Sequence, residues 1–287
     1  MTIQVIIKTS PTAEDVDGFI KLLRESYLNV PLTTAFVTEI DSASSSSSSS
    51  SSPYAPPPPS VVVIDPARLR AHFSLGIPLA CKSSVLLSMA RSACSSADNN
   101  NNTAVLVAAA LIEPPSFVGV PASQARKNPG PVLAEYRALM RQLKAKYLGL
   151  PDTGPRSWDQ PAAPSQSSGG PSEDPYPADF NKDTDFETRP FYHLALVARN
   201  VGAAGEEEIE RAVDAVVKPI LDRAEQEGVP VWTEASTGAS RAERERWGFR
   251  VAEEVAVGKG RVGANGLPKQ GGEGVRVWAM ILDNHLA

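Results

Sequence analysis

The chain has 287 residues, a formal net charge of −5 and 42% hydrophobic residues, proportions that suit a globular protein with a real core. Its acidic balance, with no local run of Lys and Arg, argues against a nucleic-acid partner. Cys81 and Cys94 are too few for a disulfide framework and show no metal-ligand spacing with the histidines, so we expect no metal site. The sequence lacks a leader pattern and a long apolar stretch, which predicts a cytoplasmic or nuclear protein with no membrane partner.

Three segments contain too few apolar residues to build a core. They are polyserine followed by prolines at 42–60, an Asn run at 95–103, and a stretch rich in Pro, Ser and Gly at 151–178. We interpret them as disordered insertions in a single domain that spans residues 1–287. The polyserine is either a solvated loop of variable length or a phosphorylated regulatory tract.

The first half of the chain has a mixed pattern of strands and helices. Apolar periodicity predicts strands at 3–7, 85–90 and 104–112, and helices at 12–27, 66–76 and 132–147. Thr12 and Asp15 have the spacing of a capping box at the start of the first helix. Gly76 is expected to end the second helix, which should therefore be short.

The last third of the chain alternates strands and helices. It predicts helices at 209–227 and 241–247 and strands at 191–198, 229–235, 249–257 and 274–282. A strand, a helix and a strand of these lengths form a crossover, so the first two strands should be parallel. The predicted fold class is α/β, with a mixed sheet of six or seven strands flanked by helices.

Three stretches of this region resemble a known family. AVVKPILDRAEQEGVPVWTEAS at 215–236 and ERWGF at 245–249 are similar to the GNAT N-acetyltransferases from their fourth strand onward, especially to fungal members of uncharacterised function. GGEGVRVWAMI at 271–281 is similar to the same subgroup. The resemblance implies a sheet that splays at its centre, between the fourth and fifth strands, and an acyl-CoA-binding core at 191–282.

The resemblance also implies the ligands. Acetyl-CoA would be the acyl donor, and the acceptor would be a primary amine of a small molecule or a peptide. In the family the fourth strand pairs with pantetheine, and the start of the following helix holds the pyrophosphate. In this sequence the strand positions fall on Leu196, Val197, Ala198 and Arg199, and Gly202 and Gly205, just before the helix, could form a displaced phosphate turn.

The phosphate-binding turn departs from the family pattern. The family motif, Gln/Arg-x-x-Gly-x-Gly/Ala, is absent, because its defining positions fall on Glu208, Arg211 and Val213. Glu206, Glu207 and Glu208 instead begin the helix. These acids either stabilise the helix end or oppose a bound phosphate.

The candidate catalytic residues are His193, Glu234 and Arg244. An attacking amine must lose a proton, and His193 or Glu234 could accept it, unless each is a structural hydrogen-bonding residue. Arg244 stands where many GNAT enzymes have a tyrosine that protonates the departing thiolate; arginine can only stabilise negative charge there. The sequence therefore leaves two functions open: an N-acyltransferase that works by direct attack, and a GNAT-like binding module without turnover.

Overall fold

A computed structural model describes residues 3–45, 64–92, 104–117, 120–126, 129–149 and 188–283. The predicted insertions at 95–103 and 151–178 lie outside these residues. The strands are β1 (Ile3–Lys8), β2 (Leu86–Ser92), β3 (Val105–Glu113), β4 (Tyr192–Arg199), β5 (Val231–Ala235), β6 (Arg250–Val257) and β7 (Val275–Leu282). The helices are α1 (Ala13–Ser26), α2 (Pro31–Ser45), α3 (Pro66–Cys81), α4 (Pro131–Leu148), α5 (Glu206–Glu227) and α6 (Gly238–Arg246), with a 3₁₀ turn at Ala122–Gln124.

The seven strands form one mixed sheet in the order β1-β2-β3-β4-β5-β7-β6. β4 and β5 are parallel and joined by α5, whereas the other neighbouring pairs are antiparallel. The predicted α/β class and the parallel crossover are confirmed. None of the helices within the described ranges is both long and apolar enough to cross a membrane.

The two faces of the sheet are covered by different helices. On one face α5 buries Val213, Val216 and Val217 in a core with side chains from β2 and β3. On the other face α1 and α3 cover the centre of the sheet, and α2 and α4 cover the side with β5 and β7. The strands β4 and β5 lie beneath the junction between these two pairs of helices, and this junction holds the candidate site.

The start of α1 has the predicted capping box. The Asp15 amide donates to Thr12 Oγ1 over 3.2 Å, and the Thr12 amide donates to Asp15 Oδ2 over 2.9 Å. Lys8 Nζ lies 2.5 Å from the same carboxylate, so the end of β1 and the start of α1 are tied together. The two amide hydrogen bonds satisfy donors that the start of the helix would otherwise leave without a partner.

Two helices differ from the prediction. α2 was not predicted, and it continues to Ser45, past the expected start of the insertion at 42–60; residues 46–60 lie outside the described ranges. The prediction that α3 stops at Gly76 is wrong, because the helix continues to Cys81. A Cβ at Gly76 would lie 2.2 Å from the carbonyl oxygen of Ala122, so glycine allows the 3₁₀ turn to approach the helix closely.

This close approach predicts the effect of Gly76→Ala. The added methyl would meet a backbone oxygen, which cannot rotate away as a side chain does, so we expect the free energy of unfolding to fall by about 1–3 kcal/mol. Urea denaturation measures the change. Gly238→Ala is the matched control, since a Cβ added there would have no atom within 4 Å; its stability should stay level or rise slightly. Unchanged stability in Gly76→Ala would contradict a tight α3–turn contact.

Candidate active site

The strands β4 and β5 pair over only part of their length. Their parallel ladder joins Tyr192, His193 and Leu194 to residues 231–233. At the last pair of the ladder, the Thr233 hydroxyl donates to the carbonyl of Leu194 over 2.9 Å. β4 continues to Arg199 without pairing to β5. The sheet is therefore split at its centre, as the resemblance implied.

The split begins beside a β-bulge. In the ladder with β3, Leu194 pairs with Ile112 and Leu196 pairs with Leu111, which leaves Ala195 as the extra residue. The extra residue of a bulge is left unpaired in the ladder, and the strand bends at that point. Part of the β4 backbone is thus freed from β3 at the same position where it separates from β5.

A cavity of about 590 Å³ lies over the split, a volume in the range of small-molecule sites. Its floor is β4, and its walls come from α1, α2, α3, α4, α6 and the segment around the 3₁₀ turn. The residues that line it include Tyr27, Phe36, His72, Glu113, Arg126, Tyr136, Lys144, His193, Leu196, Val197, Arg199, Glu234 and Arg244.

Three neighbouring strands build a buried acid–base cluster at the start of the split. His193, 8% exposed, lies with its Nδ1 2.8 Å from Glu113 Oε2 and its Nε2 2.9 Å from Glu234 Oε2. Glu234 Oε1 accepts from Trp232 Nε1 over 2.7 Å and lies 3.7 Å from Lys144 Nζ. A histidine with a carboxylate at both ring nitrogens donates through both, which favours the imidazolium form.

The electrostatics of this cluster follow from these contacts. Burial and the positive charge of Lys144 lower the pKa of His193, but the two carboxylates outweigh them and hold it above its ordinary value. Burial alone would raise the pKa of Glu234, whereas His193 and Lys144 bring it down to about 2. No group of three or more His, Cys, Asp or Glu side chains in the described part of the chain has a metal-binding arrangement.

A second charged cluster lies where β4 faces α6. Glu243 bridges two arginines: its Oε1 is 2.6 Å from Arg199 Nη2, and its Oε2 is 2.8 Å from Arg244 Nη1. The Arg244 guanidinium lies 5.5 Å from the Trp247 ring centre. Its buried Nε has no hydrogen-bond partner among the described residues. A buried N–H without an acceptor is rare, and on a cavity wall it favours a ligand atom as its partner.

Tyr27 ends α1 and lies beside this second cluster. Its hydroxyl faces the backbone amide of Val197, and its ring meets the Phe73 ring edge-on with 5.6 Å between centroids. Burial raises the pKa of Tyr27, although the charge of Arg244 opposes the rise. The phenol therefore keeps its proton at neutral pH.

The start of α5 lies beyond the end of β4. Gly205 is its N-cap residue and gives no side-chain cap, while Glu206 and Glu207 are exposed. The Glu208 side chain is held at the end of β2, because its Oε1 accepts from the Ser92 hydroxyl over 3.2 Å. The Gly202 amide donates to Asn200 Oδ1 over 3.1 Å. The helix start thus keeps backbone amides open to solvent next to two carboxylates.

The predicted cofactor-binding residues take different positions. Leu196, Val197 and Arg199 line the cavity. Ala198 is fully buried in the core with α1 and α3. Gly202 and Gly205 lie outside the cavity lining, in the connection to α5.

Comparisons with known proteins bear on the fold. No protein-family model and no curated protein sequence matches the chain. The C-terminal condensation domain of Ebony, in complex with beta-alanyl-dopamine, is 9% identical, with a TM-score of 0.51 over 98% of this chain and 99% of that chain. Arylalkylamine N-acetyltransferase 2 from Aedes aegypti is 13% identical, with a TM-score of 0.47 over 98% and 99%.

Other similar structures are described as N-acetyltransferases. At these identities the likeness concerns the fold alone, and it supports a GNAT-like α/β fold for this chain. In this sheet, two of the predicted catalytic residues, His193 and Glu234, lie together in the first cluster, and Arg244 belongs to the second.

Three residues of the site, Glu113, Lys144 and Tyr27, were not predicted from the sequence. Glu113 had a signal: it is the one charged residue of β3 and follows an apolar run. No sequence signal distinguishes Lys144 from the other basic residues of α4. Tyr27 ends a helix far from the matched segment, so only the fold brings it to the site.

The cluster around His193 predicts two pKa changes of opposite sign. Glu113→Gln removes a negative charge and should lower the pKa of His193 by about one pH unit or more, whereas Lys144→Met removes a positive charge and should raise it. NMR titration of the imidazole resonances measures both. His72, whose pKa burial lowers to about 4, serves as the internal control. Shifts in the same direction in both variants would refute the charge arrangement described here.

Proposed function

We propose that this chain is an N-acyltransferase that moves an acetyl group from acetyl-CoA to a primary amine of a small molecule or a peptide. One observation carries the proposal: the acid–base cluster lies where β4 and β5 separate. His193 and Glu234 flank the last paired residues, Leu194 and Thr233. An amine deprotonated there would meet a thioester that enters through the split.

The residues present fit acetyl-CoA, which when bound supplies an acetyl thioester as the activated carbonyl. The edge of β4 that does not pair with β5, at Leu196 and Val197, would hold the pantetheine arm through its backbone once the Tyr27 hydroxyl has left the Val197 amide. The bulge at Ala195 would offer a backbone group to the thioester carbonyl. Arg244 would contribute the buried Nε–H that has no partner among the described residues. The open helix start after Gly205 would take the pyrophosphate.

In the proposed reaction His193 is the general base. Glu113 accepts the Nδ1–H and so fixes the tautomer in which Nε2 carries the lone pair. In the imidazolium form Nε2 donates to Glu234, so the amine would insert between the two groups after Nε2 has lost that proton. The amine would then donate one N–H to Nε2 and a second to Glu234, which orients it. Because the pKa of His193 lies above its ordinary value, the neutral imidazole becomes more abundant as the pH rises through that pKa. We therefore expect the rate to rise over the same pH interval.

The leaving thiolate needs a proton and charge stabilisation. Arg244 supplies positive charge at the position where many GNAT enzymes have a tyrosine, and it cannot supply a proton. Tyr27 reaches the same part of the cavity from α1, and its raised pKa keeps the phenol protonated. We assign the two roles accordingly: Tyr27 donates the proton and Arg244 stabilises the developing negative charge.

A binding module without turnover is the second candidate, and the start of α5 favours it. Glu206 and Glu207 bring carboxylates to the amides that would otherwise bind phosphate. Each carboxylate stabilises the helix end by about 0.3–1 kcal/mol and opposes an anion in the same field. The affinity for acetyl-CoA therefore tests both candidates.

We expect wild type to bind acetyl-CoA and the double variant Glu206→Gln, Glu207→Gln to bind it more tightly. Isothermal titration at low and high salt measures the difference, which should shrink as screening increases. Asp222→Asn with Glu225→Gln, near the other end of α5, is the control with the same change of charge and should show no gain. Thermal shift gives a second readout, since ligand at 100 times its dissociation constant adds about 2.7 kcal/mol. No shift at millimolar acetyl-CoA would exclude an acetyl-CoA-dependent transferase.

Turnover is tested with two variants of the proposed proton carriers. His193→Gln should lower kcat by a factor of about 10²–10⁴, the usual contribution of a general base. Tyr27→Phe should also lower kcat, and neither variant should weaken acetyl-CoA binding. Release of the CoA thiol with a panel of primary amines gives the rates. Tyr147→Phe is the control for Tyr27, because the Tyr147 hydroxyl donates to the Ala252 carbonyl, away from the cavity. Full activity in His193→Gln would remove His193 from this role.

A further inference from the structure

A positively charged side chain lies in the cavity wall away from the two clusters. Arg126 follows the 3₁₀ turn and is partly buried. Its Nη2 lies 2.8 Å from His72 Nδ1, and its Nη1 donates to the Phe36 carbonyl over 3.3 Å. Both partners are uncharged acceptors. Within the described residues no carboxylate forms an ion pair with Arg126.

The groups that hydrogen-bond to Arg126 carry no negative charge. His72 is buried and neutral, with a pKa lowered to about 4 by burial and by the charges of Arg126 and Arg137. Burial lowers the pKa of Arg126, and the negative charge of Glu39 opposes this shift without an ion pair between the two among the described contacts. The two Glu39 oxygens accept from the Val132 amide, over 3.0 and 2.9 Å, at the start of α4. Arg126, in the cavity lining, therefore has no direct carboxylate partner among the described residues.

Arg126 is also held in place. Arg137 Nη1 and Nη2 donate to the Arg126 carbonyl over 3.1 and 3.2 Å, and Nη2 donates to the Ser123 carbonyl over 2.7 Å. Gly76 lets the 3₁₀ turn lie directly against α3, the helix that carries His72. These contacts fix the Arg126 backbone, and His72 and the Phe36 carbonyl orient its guanidinium. A cation at a defined position, without a direct carboxylate partner among the described residues, is what recognition of an anion requires.

Aromatic rings connect the two ends of the cavity. Tyr136 lies within electrostatic reach of Glu234 and Glu113. The Phe36 ring is centred 5.4 Å from the Tyr136 ring, and the His72 ring follows at 6.4 Å from Phe36. The cavity therefore has carboxylates around His193 at one end, aromatic walls in the middle and a guanidinium at the other end.

We propose that the acceptor is a primary amine with an aromatic or apolar middle and an anionic group, a carboxylate or a phosphate, at the end remote from the amine. The proposal rests on the proposed function for the position of the amine, and on Arg126 for the anion. The amine binds beside Glu234, and Arg126 donates two parallel hydrogen bonds to the anion. An amine without the anion leaves a partly buried charge unpaired and should bind less well.

Isothermal titration of the full chain tests this with three probes that share one aromatic middle. They are 2-phenylethylamine, 4-(2-aminoethyl)benzoate and tyramine phosphate. Wild type should bind an anionic amine at least about tenfold more tightly than 2-phenylethylamine, the usual range for a charge-assisted contact. The preferred anion identifies the natural group. Arg126→Met should abolish the preference, and Arg126→Lys should keep part of it. Arg70→Gln, on the exposed side of α3, should leave all three affinities unchanged.

The outcomes separate this inference from the proposed function. Equal affinities of wild type for the three amines would overturn the proposed Arg126 subsite. A preference for the anionic amines that persists in Arg126→Met would overturn it as well. So would the absence of measurable binding for all three amines. Arg126→Lys replaces Arg126→Met if the latter fails to fold. Thiol release with acetyl-CoA and the same amines is measured in parallel. Selective binding of an anionic amine without thiol release supports the Arg126 subsite and overturns the transferase proposal.

Discussion

The end of the ladder between β4 and β5 determines the geometry of the site. Pairing stops after Leu194 and Thr233, although β4 continues for several residues. A continuous parallel sheet would satisfy every backbone group of β4 and leave no opening. Beyond the split the edge of β4 loses its β5 partner, and side chains at the end of α1 take its place: the Ser26 hydroxyl bonds the amide and carbonyl of Arg199, and the Tyr27 hydroxyl faces the Val197 amide. The bulge at Ala195 frees the adjacent backbone from β3. The cavity and both charged clusters are arranged around this break.

Mutual pairing of its members explains why a buried charged cluster is tolerated beside the split. Burial of His193, Glu113 and Glu234 on an otherwise apolar sheet face carries a desolvation penalty, offset only if every charge has a partner. The imidazolium donates to both carboxylates, and Trp232 and Lys144 stabilise the remaining oxygen of Glu234. Loss of one partner would leave a buried charge uncompensated, at a cost of about 3–5 kcal/mol. The cluster is therefore stable as a unit, and protonation of any member affects the others.

Much of the fold could be predicted from the sequence, because its signals are local. Strand lengths, apolar spacing and the Thr12–Asp15 box depend on residues close together in the chain. Gly76 misled the prediction, since a glycine that ends a helix and one that permits close packing look the same without the Ala122 carbonyl. The candidate site was harder to predict, because its residues meet only in the sheet: Glu113 and Glu234 lie 80 and 41 positions from His193. Arg244 could be located by its motif, whereas Tyr27 and Arg126 carry no motif.

The same arrangement explains how the site can coexist with low-complexity stretches. β2 and β3 are fixed by their register on each other, and β4 is fixed by β3 and β5, so the segments between these strands do not set their positions. Lengthening a connection between elements that are already fixed adds little entropy cost, about 0.6 kcal/mol for each doubling. His193, Glu113 and Glu234 all lie within the paired part of this framework or directly at its end. Chain length can therefore vary outside the sheet while the distances within the acid–base cluster stay the same.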